Sequence, residues 1–428
     1  MHRGIITLFR NTYVSGAGYL FASNVLVGLM NYVFSSYAAK LLGPAGYSDI
    51  IALFSYVAIG TLPLTIASMA LLKKIGESGN NNISFSASLE RWVLYLMRQY
   101  WYVVALALSL IPFMPAVTNL SPVAGYAIIP IILLTALTIL YDSILQGLQR
   151  FRLFAVISIC VVGIKLISVF AGGISPVPLM VIMTGIIASY ITRLLVSSQA
   201  VHRIISGRKA VVRRIEKRLM QVISHRQVLL SAISVGSITI MQHVPMAIAK
   251  ITLSPHKAGL LAAWLLLANI ALYIVGPLLS VAYIFFSGEH MRHKHSHVFL
   301  VSLAVLIIGS IAYVGAYILF GSFLIENIFG EAFTELNRYA VLASVYGVGM
   351  LIIIFFNNFF LARGSNVVYV IAAIAGLYSI SLYFFSRSID GIMTISIYTA
   401  YSMVLVYGVA GARSYIRRPK FLRYSSFS

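Results

Sequence analysis

The chain has 428 residues, of which 60% are hydrophobic and 10% are charged, and its mean hydropathy is +0.94. Soluble proteins carry about 25% charged residues, so this composition excludes a water-soluble globular protein and indicates that most of the chain meets lipid. The net charge is +21, and the positions of the positive residues decide whether that charge indicates a nucleic-acid partner.

Twelve apolar stretches are long enough to cross a membrane, because a spanning helix needs about 20 residues at a rise of about 1.5 Å each. The predicted spans cover residues 14–38, 47–72, 99–117, 123–146, 153–172, 177–198, 228–249, 259–286, 298–320, 339–362, 366–385 and 392–412. The first stretch is too long, and too polar within, to be a cleaved signal peptide. The sequence therefore predicts an all-α, polytopic membrane protein.

The positive residues predict the orientation of these spans. If the spans alternate, 25 of the 31 Lys and Arg residues fall on one side, 5 fall on the other, and Lys165 lies deep in the fifth span. Because cytoplasmic loops are enriched in Lys and Arg, both termini are expected in the cytoplasm, and the chain is expected in the inner or plasma membrane of the cell.

The same distribution argues against DNA or RNA binding, because no folded domain collects the positive charge. The densest block is KAVVRRIEKR at residues 209–218. We expect it to form a linker helix that lies on anionic membrane lipids, and a regulatory lipid or partner site is the alternative. A further basic loop carries four histidines between Arg and Lys residues, a pattern that does not favour a metal site; they are His290, His293, His295 and His297.

The two halves of the chain are similar to each other. Gly46 and Gly259 are 213 residues apart, as are Arg150 and Arg363, and Pro63 and Pro277 are 214 apart. This spacing divides the chain into a six-helix bundle at 1–198, a basic cytoplasmic linker at 199–227 and a second six-helix bundle with a basic cytoplasmic tail at 228–428. Two such bundles that enclose a cavity have the geometry of a carrier.

Three stretches of the chain resemble a known family. They are LLGPAGYSDIIALFSY (41–56) after the first span, ILQGLQRFR (144–152) after the fourth and AKITLSPHKAGLLAAW (249–264) after the seventh. They resemble the Wzx-type polysaccharide exporters, which are flippases for lipid-linked oligosaccharides in the multidrug/oligosaccharidyl-lipid/polysaccharide (MOP) superfamily. The resemblance covers nearly the whole chain, through structural rather than catalytic motifs.

The resemblance implies a MATE-like fold, in which two pseudo-symmetric six-helix bundles form a V and the first two helices of each half face the cleft. Relatives often carry an acidic residue late in the seventh span, where this chain has Gln242, His243, Val244 and Pro245. Cation coupling through such a carboxylate is therefore not implied. The energy source stays open between a proton gradient, a sodium gradient and the membrane potential, and no cofactor is expected.

Polar residues within the spans are candidates for the wall of a cavity, because an unsatisfied polar group in lipid costs several kcal/mol. Asn24 and Asn31 lie on one stripe of the first span, Gln242 lies in the seventh span and Asn269 in the eighth. We expect these four amides to offer hydrogen bonds to sugar hydroxyls. The alternative is that they serve helix packing.

Lys165 is the strongest candidate for ligand binding, because it lies roughly 18 Å into its span. Asp142 is shallower and matches the depth of Arg193, so we expect these two residues to form a structural ion pair that leaves Lys165 free for an anion. Lys250 and His243 lie nearer the external mouth, and we expect them to help Lys165 neutralise an anionic ligand. A buried structural role is the alternative for both Lys165 and His243.

The sequence contains no phosphate-cradling GxxxxGK[ST] loop, and its external loops are short, so we expect a protein that is not an enzyme. The predicted function is a flippase that moves a polyprenyl-diphosphate-linked oligosaccharide from the cytoplasmic to the external leaflet by alternating access, for surface polysaccharide synthesis. The alternatives are a MATE-like drug/cation antiporter, a membrane polysaccharide polymerase or glycosyltransferase, and a structural subunit of an export complex. The expected partners are the lipid-linked oligosaccharide, membrane lipids, and a polysaccharide polymerase or export machinery, but not nucleic acid.

Overall fold

The computed structural model describes residues 12–77, 81–206, 226–287 and 295–416, and all regular structure in these ranges is helical. The helices are α1 (Thr12–Glu77), α2 (Asn82–Gln99), α3 (Trp101–Ser109), α4 (Met114–Thr118), α5 (Pro122–Gly147), α6 (Phe151–Gly172), α7 (Pro178–Ile205), α8 (Arg226–Thr252), α9 (Pro255–Ser287), α10 (His295–Phe329), α11 (Ala340–Ala362), α12 (Val367–Phe385) and α13 (Ile389–Ile416). Two 3₁₀ segments, Ile111–Phe113 and Glu331–Tyr339, complete the described structure.

Helix α1 contains the first two spans, joined by a break at Gly43. Its 66 residues would measure about 100 Å if they were straight, which is far more than the roughly 30 Å of hydrocarbon in a bilayer. Gly43 has φ 64° and ψ −179°, a conformation that residues with a Cβ rarely adopt, and Pro44 then starts the second segment. The chain therefore reverses direction in a tight turn, where the sequence predicted a gap of eight residues.

The described residues hold eleven helical regions that are long and apolar enough to span a membrane. The break at Gly43 divides the first of these, Gly18–Leu72, into two, which gives the twelve predicted spans. Large apolar side chains such as Ile308, Leu319 and Phe385 point outward and are more than half exposed, as expected for a surface that lipid covers. The protein is a multi-pass, all-α membrane protein.

The two halves meet mainly through α1. This helix packs against α5 and α6 of its own half and against α8 and α9 of the other. A Cβ added to Gly28 would lie 3.5 Å from the ring of Tyr273, and Ala70 of α1 and Val228 of α8 form a small buried cluster. The first two spans of each half therefore form the interface between the halves.

Local geometry repeats between the halves. The turn after α5 holds Gln149 at φ 58°, and the turn after α11 holds Gly364 at φ 61°, which lies 215 residues later. Left-handed residues of this kind commonly end helices. The repeat seen in the sequence therefore also appears in the backbone.

Two features of the sequence lie outside the described residues. The basic block at 209–218 lies in the undescribed stretch between α7 and α8, and the loop with His290 and His293 lies between α9 and α10. Helix α7 runs to Ile205, beyond the predicted end of the first bundle at residue 198.

Candidate functional site: an unpaired lysine and the interface between the halves

Lys165 lies between two aromatic rings. Its Nζ atom is 5.1 Å from the centre of the Phe54 ring on α1 and 5.6 Å from that of Tyr190 on α7. The side chain is partly exposed, and no carboxylate of a described residue lies within 4.0 Å of it. Aromatic faces attract a cation but carry no counter-charge, so these two rings leave room for an anionic partner.

Asp142 on α5 and Arg193 on α7 form an ion pair. The Arg193 Nη2 atom is 2.8 Å from Asp142 Oδ2, and the Ser197 hydroxyl donates to Oδ1 at 3.2 Å. Asp142 therefore pairs with Arg193, as their matching depth predicted. Because of this pairing, Asp142 is not available to Lys165. Arg193 also packs on the Phe154 ring, with 5.7 Å between its Cζ atom and the ring centre.

The second half carries a hydrogen-bond network of uncharged side chains at the positions that correspond to Asp142 and Arg193. The Asn357 side chain donates to Ser234 at 2.5 Å and accepts from the Tyr407 hydroxyl at 2.9 Å. Asn357 and Tyr407 follow Asp142 and Arg193 by 215 and 214 residues. An ion pair in the first half therefore corresponds to hydrogen-bonded neutral groups in the second.

Lys250 on α8 pairs with Asp49 on α1. The Lys250 Nζ atom is 2.6 Å from Asp49 Oδ1 and donates to Ser48 Oγ at 2.7 Å. The two charged side chains are only 3% and 8% exposed. The expectation that Lys250 neutralises a ligand is not supported by this arrangement, because its charge is already paired and buried between the halves.

The other candidate residues differ in exposure and are not bonded to Lys165 in the described structure. Asn24 is exposed on α1, and Asn31, Gln242, His243 and Asn269 are partly buried. No hydrogen bond or ion pair among the described residues joins Lys165 to any of these five. Their roles in ligand binding stay predictions.

A cavity of about 160 Å³ lies at the end of the bundle that the charge distribution predicts to be cytoplasmic. It is lined by residues of α2 and of the end of α7, including Glu90, Arg91 and His202. Burial raises the pKa of the Glu90 carboxyl above its ordinary value of 4.5, against the opposing effects of His202, the Tyr141 hydroxyl and Arg91. In the described ranges no three His, Cys, Asp or Glu side chains come together as a metal site.

No family model and no curated protein matches this sequence. Solved structures do match the fold over nearly all of the chain. A multidrug resistance MATE family transporter of the MOP superfamily, in an inward-facing conformation, superposes with a TM-score of 0.64 at 13% identity, covering 94% of this chain and 98% of its own. The chain has the MATE transporter fold.

Two further structures agree with this MATE fold. The eukaryotic MATE transporter AtDTX14 superposes with a TM-score of 0.63 at 13% identity, covering 93% of this chain and 95% of its own. A MATE in complex with MaL6 gives a TM-score of 0.61 at 12% identity, covering 94% and 95%. The expected all-α, MATE-like fold class is confirmed, whereas identities this low transfer no residue role.

Within the MATE fold, Asp49 is the main residue that sequence reasoning left without a role. Asp142 and Arg193 lie at matching depth, and so do Asp49 and Lys250, which both lie at the external ends of their spans. Phe54 and Tyr190 gave no such signal, because aromatic residues occur on every face of the spans. Only the packing of α1 and α7 against α6 places these rings around Lys165.

Proposed function

We propose that this protein is a membrane transporter that moves a polyprenyl-diphosphate-linked oligosaccharide from the cytoplasmic to the external leaflet by alternating access. The MATE fold supports membrane transport. The observation that carries the choice of an anionic substrate is Lys165, a cation at mid-depth that has no carboxylate partner among the described residues.

Lys165 suits a diphosphate for a physical reason. An ammonium group within the membrane needs an anion or water nearby, and the rings of Phe54 and Tyr190 supply neither. A diphosphate that enters beside it gains a charge-assisted hydrogen bond and removes the unpaired charge. Two phosphate charges that leave an inside-negative cell release roughly 4 to 5 kcal/mol per 100 mV, so the membrane potential supplies a driving force.

A drug/cation antiporter is the second candidate, and the multidrug transporter among the structures of the same fold favours it. Such a protein needs a free carboxylate in its cavity to hold a cation. Asp142 is paired with Arg193, and Asp49 is paired with Lys250. Because the two acids that lie within the predicted spans, Asp49 and Asp142, are both paired, we rank the anionic substrate first.

A polymerase or glycosyltransferase is the third candidate. The described segment Glu331–Tyr339 between α10 and α11 is a nine-residue 3₁₀ segment, and its Glu335 lies 3.7 Å from His256 with both side chains at least half exposed. Two surface groups of this kind do not form a desolvated acid/base site. The proposed export role leaves a separate polymerase or export machinery as the partner that uses the translocated substrate.

The proposal is tested with the purified protein in liposomes that contain a fluorescent polyprenyl-diphosphate oligosaccharide. We expect wild type to make the sugar accessible on the far side, and Lys165→Met to slow this at least tenfold. Lys165→Arg keeps the charge and should retain most of the rate. A protein that moves a cationic dye but not the glycolipid would overturn the proposed substrate.

Lys40→Met is the matched control, because Lys40 is an exposed lysine at the end of the first span. Its removal should leave the rate unchanged. If Lys165→Met also flips glycolipid at the wild-type rate, Lys165 does not bind the substrate.

A further inference from the structure

The ion pair between Asp49 and Lys250 crosses from one half of the protein to the other. It is short, at 2.6 Å, and almost completely buried, and the Lys250 ammonium also donates a hydrogen bond to Ser48 Oγ. The other lysines at the same end of the bundle, Lys40 and Lys257, are exposed. Burial between the halves is therefore specific to Lys250.

Further contacts between the halves surround this pair. The Asn119 amide donates to the Lys250 carbonyl oxygen at 2.9 Å, and the Tyr56 hydroxyl donates to the Ala247 carbonyl oxygen at 3.0 Å. A methyl group added to Gly259 would lie 1.9 Å from the Pro44 carbonyl oxygen, so the two backbones touch here. The halves are sealed against each other at this end, which the charge distribution predicts to be external.

A buried ion pair adds little to stability compared with apolar residues of the same size, whereas removal of one partner leaves a buried charge without compensation. If the halves separate at this end, water reaches both charges and each is stable alone. The pair therefore distinguishes two states. A single unpaired charge is tolerated when this end is open and is strongly disfavoured when it is closed.

We infer that Asp49 and Lys250 act as the external gate of the transport cycle, holding the two halves together while the cavity faces the cytoplasm. This inference rests on the proposed transport by alternating access. Each charge is required for closure, and neither contacts the substrate. Opening toward the outside separates the pair.

Distances between spin labels test the gate without any substrate. Val123 and Ile251 lie on opposite halves at this end, and their side chains are 42% and 52% exposed. Labels are attached to Val123→Cys and Ile251→Cys in a Cys160→Ser background, since Cys160 is the single cysteine. We expect the parent protein to show mainly a short distance, with a minor population at a longer one.

Asp49→Asn and Lys250→Met should each raise the ratio of long to short distances at least tenfold, because each leaves an unpaired buried charge in the closed state. Ser48→Ala removes one hydrogen bond and should raise the ratio severalfold. The exchange Asp49→Lys/Lys250→Asp restores opposite charges and should return the short distance. Lys40→Met should change nothing.

Unchanged distances in the folded single variants would overturn the gate. If those two variants do not fold, Ser48→Ala decides, and an unchanged ratio in that variant counts against the proposal. A shift in distance together with failure of glycolipid transport would keep the gate and reject the substrate. Normal glycolipid transport by the wild-type protein, together with unshifted distances in the variants, would keep the substrate and reject the gate.

Discussion

Arg193 contacts a single oxygen of Asp142 through two of its nitrogens, with Nε at 2.9 Å and Nη2 at 2.8 Å from Oδ2. The other carboxylate oxygen accepts from Ser197, so Asp142 is fully partnered. The related positions of the second half hold Asn357 and Tyr407, which are joined by one neutral hydrogen bond. The repeat therefore preserves a polar contact between the same two spans and changes its chemistry.

Asp142→Asn should destabilise the protein by roughly 2 kcal/mol, because it leaves the Arg193 charge without a counter-ion. This figure is below that of a fully buried pair, since the side chains of Arg193 and Asp142 are 25% and 13% exposed. The double variant Asp142→Asn/Arg193→Tyr copies the second half and should recover at least half of the loss. Thermal unfolding in detergent measures both, and a double variant no more stable than Asp142→Asn would contradict the structural equivalence.

Tyr407→Phe should destabilise the protein by about 1 to 3 kcal/mol, because the Asn357 carbonyl oxygen loses its donor in a buried site. Tyr398 is the matched control on the same helix, since its side chain is 72% exposed. Tyr398→Phe should have no measurable effect. Equal unfolding temperatures for the two variants would show that the hydrogen bond does not stabilise the fold.

Gly347→Ala should destabilise the contact between α9 and α11. The added methyl group would lie 2.3 Å from the Ala268 carbonyl oxygen, and a backbone atom cannot move aside without a shift of the helix. We expect a loss of about 3 kcal/mol. Gly309 on α10 has no atom within 4 Å of the corresponding position, so Gly309→Ala should be neutral or slightly stabilising. Unfolding by denaturant of the two variants side by side checks the difference.

Glu90→Gln should stabilise the protein at neutral pH. The raised pKa means that the folded state binds the proton of Glu90 more tightly than the unfolded state does. Stability is therefore lost as the pH rises from about 4.5 through the raised pKa, and Gln avoids this loss. The difference in unfolding temperature between variant and wild type should be positive at pH 8 and close to zero at pH 4.

Glu331→Gln is the control for that experiment, because Glu331 is exposed and the substitution removes one carboxylate without changing a buried site. A Glu90→Gln protein that is less stable than wild type at pH 8 would mean that His202, Tyr141 and Arg91 favour the charged form more than burial disfavours it.

Much of the fold follows from the sequence because the bilayer imposes strong rules. The length of each apolar run gives the twelve spans. The tight turn at Gly43 was not predicted, because a helix reversal needs only a single left-handed residue, whereas the sequence suggested a longer loop. The ion pair between Asp142 and Arg193 followed from depth alone. Charges within a membrane have few possible partners, so depth is nearly sufficient to pair them.

The lateral arrangement of the spans is harder to predict. Periodicity shows that Asn24 and Asn31 share a face of α1, but it does not show which neighbour that face meets. Asn24 is exposed, whereas Lys250 is buried against the other half. Both outcomes depend on how twelve helices pack, and a pattern along one helix carries no information about the orientation of the next.

The turn at Gly43 lies beside the proposed gate. The two segments of α1 extend from it as arms of roughly 45 Å each, since each has about 30 residues. Pro44, the next residue, lies against Gly259 at the same end as the pair of Asp49 and Lys250. A rotation of about 10° around the far ends of the arms would move the turn by about 8 Å, so a slight tilt of the first two spans is enough to separate this pair.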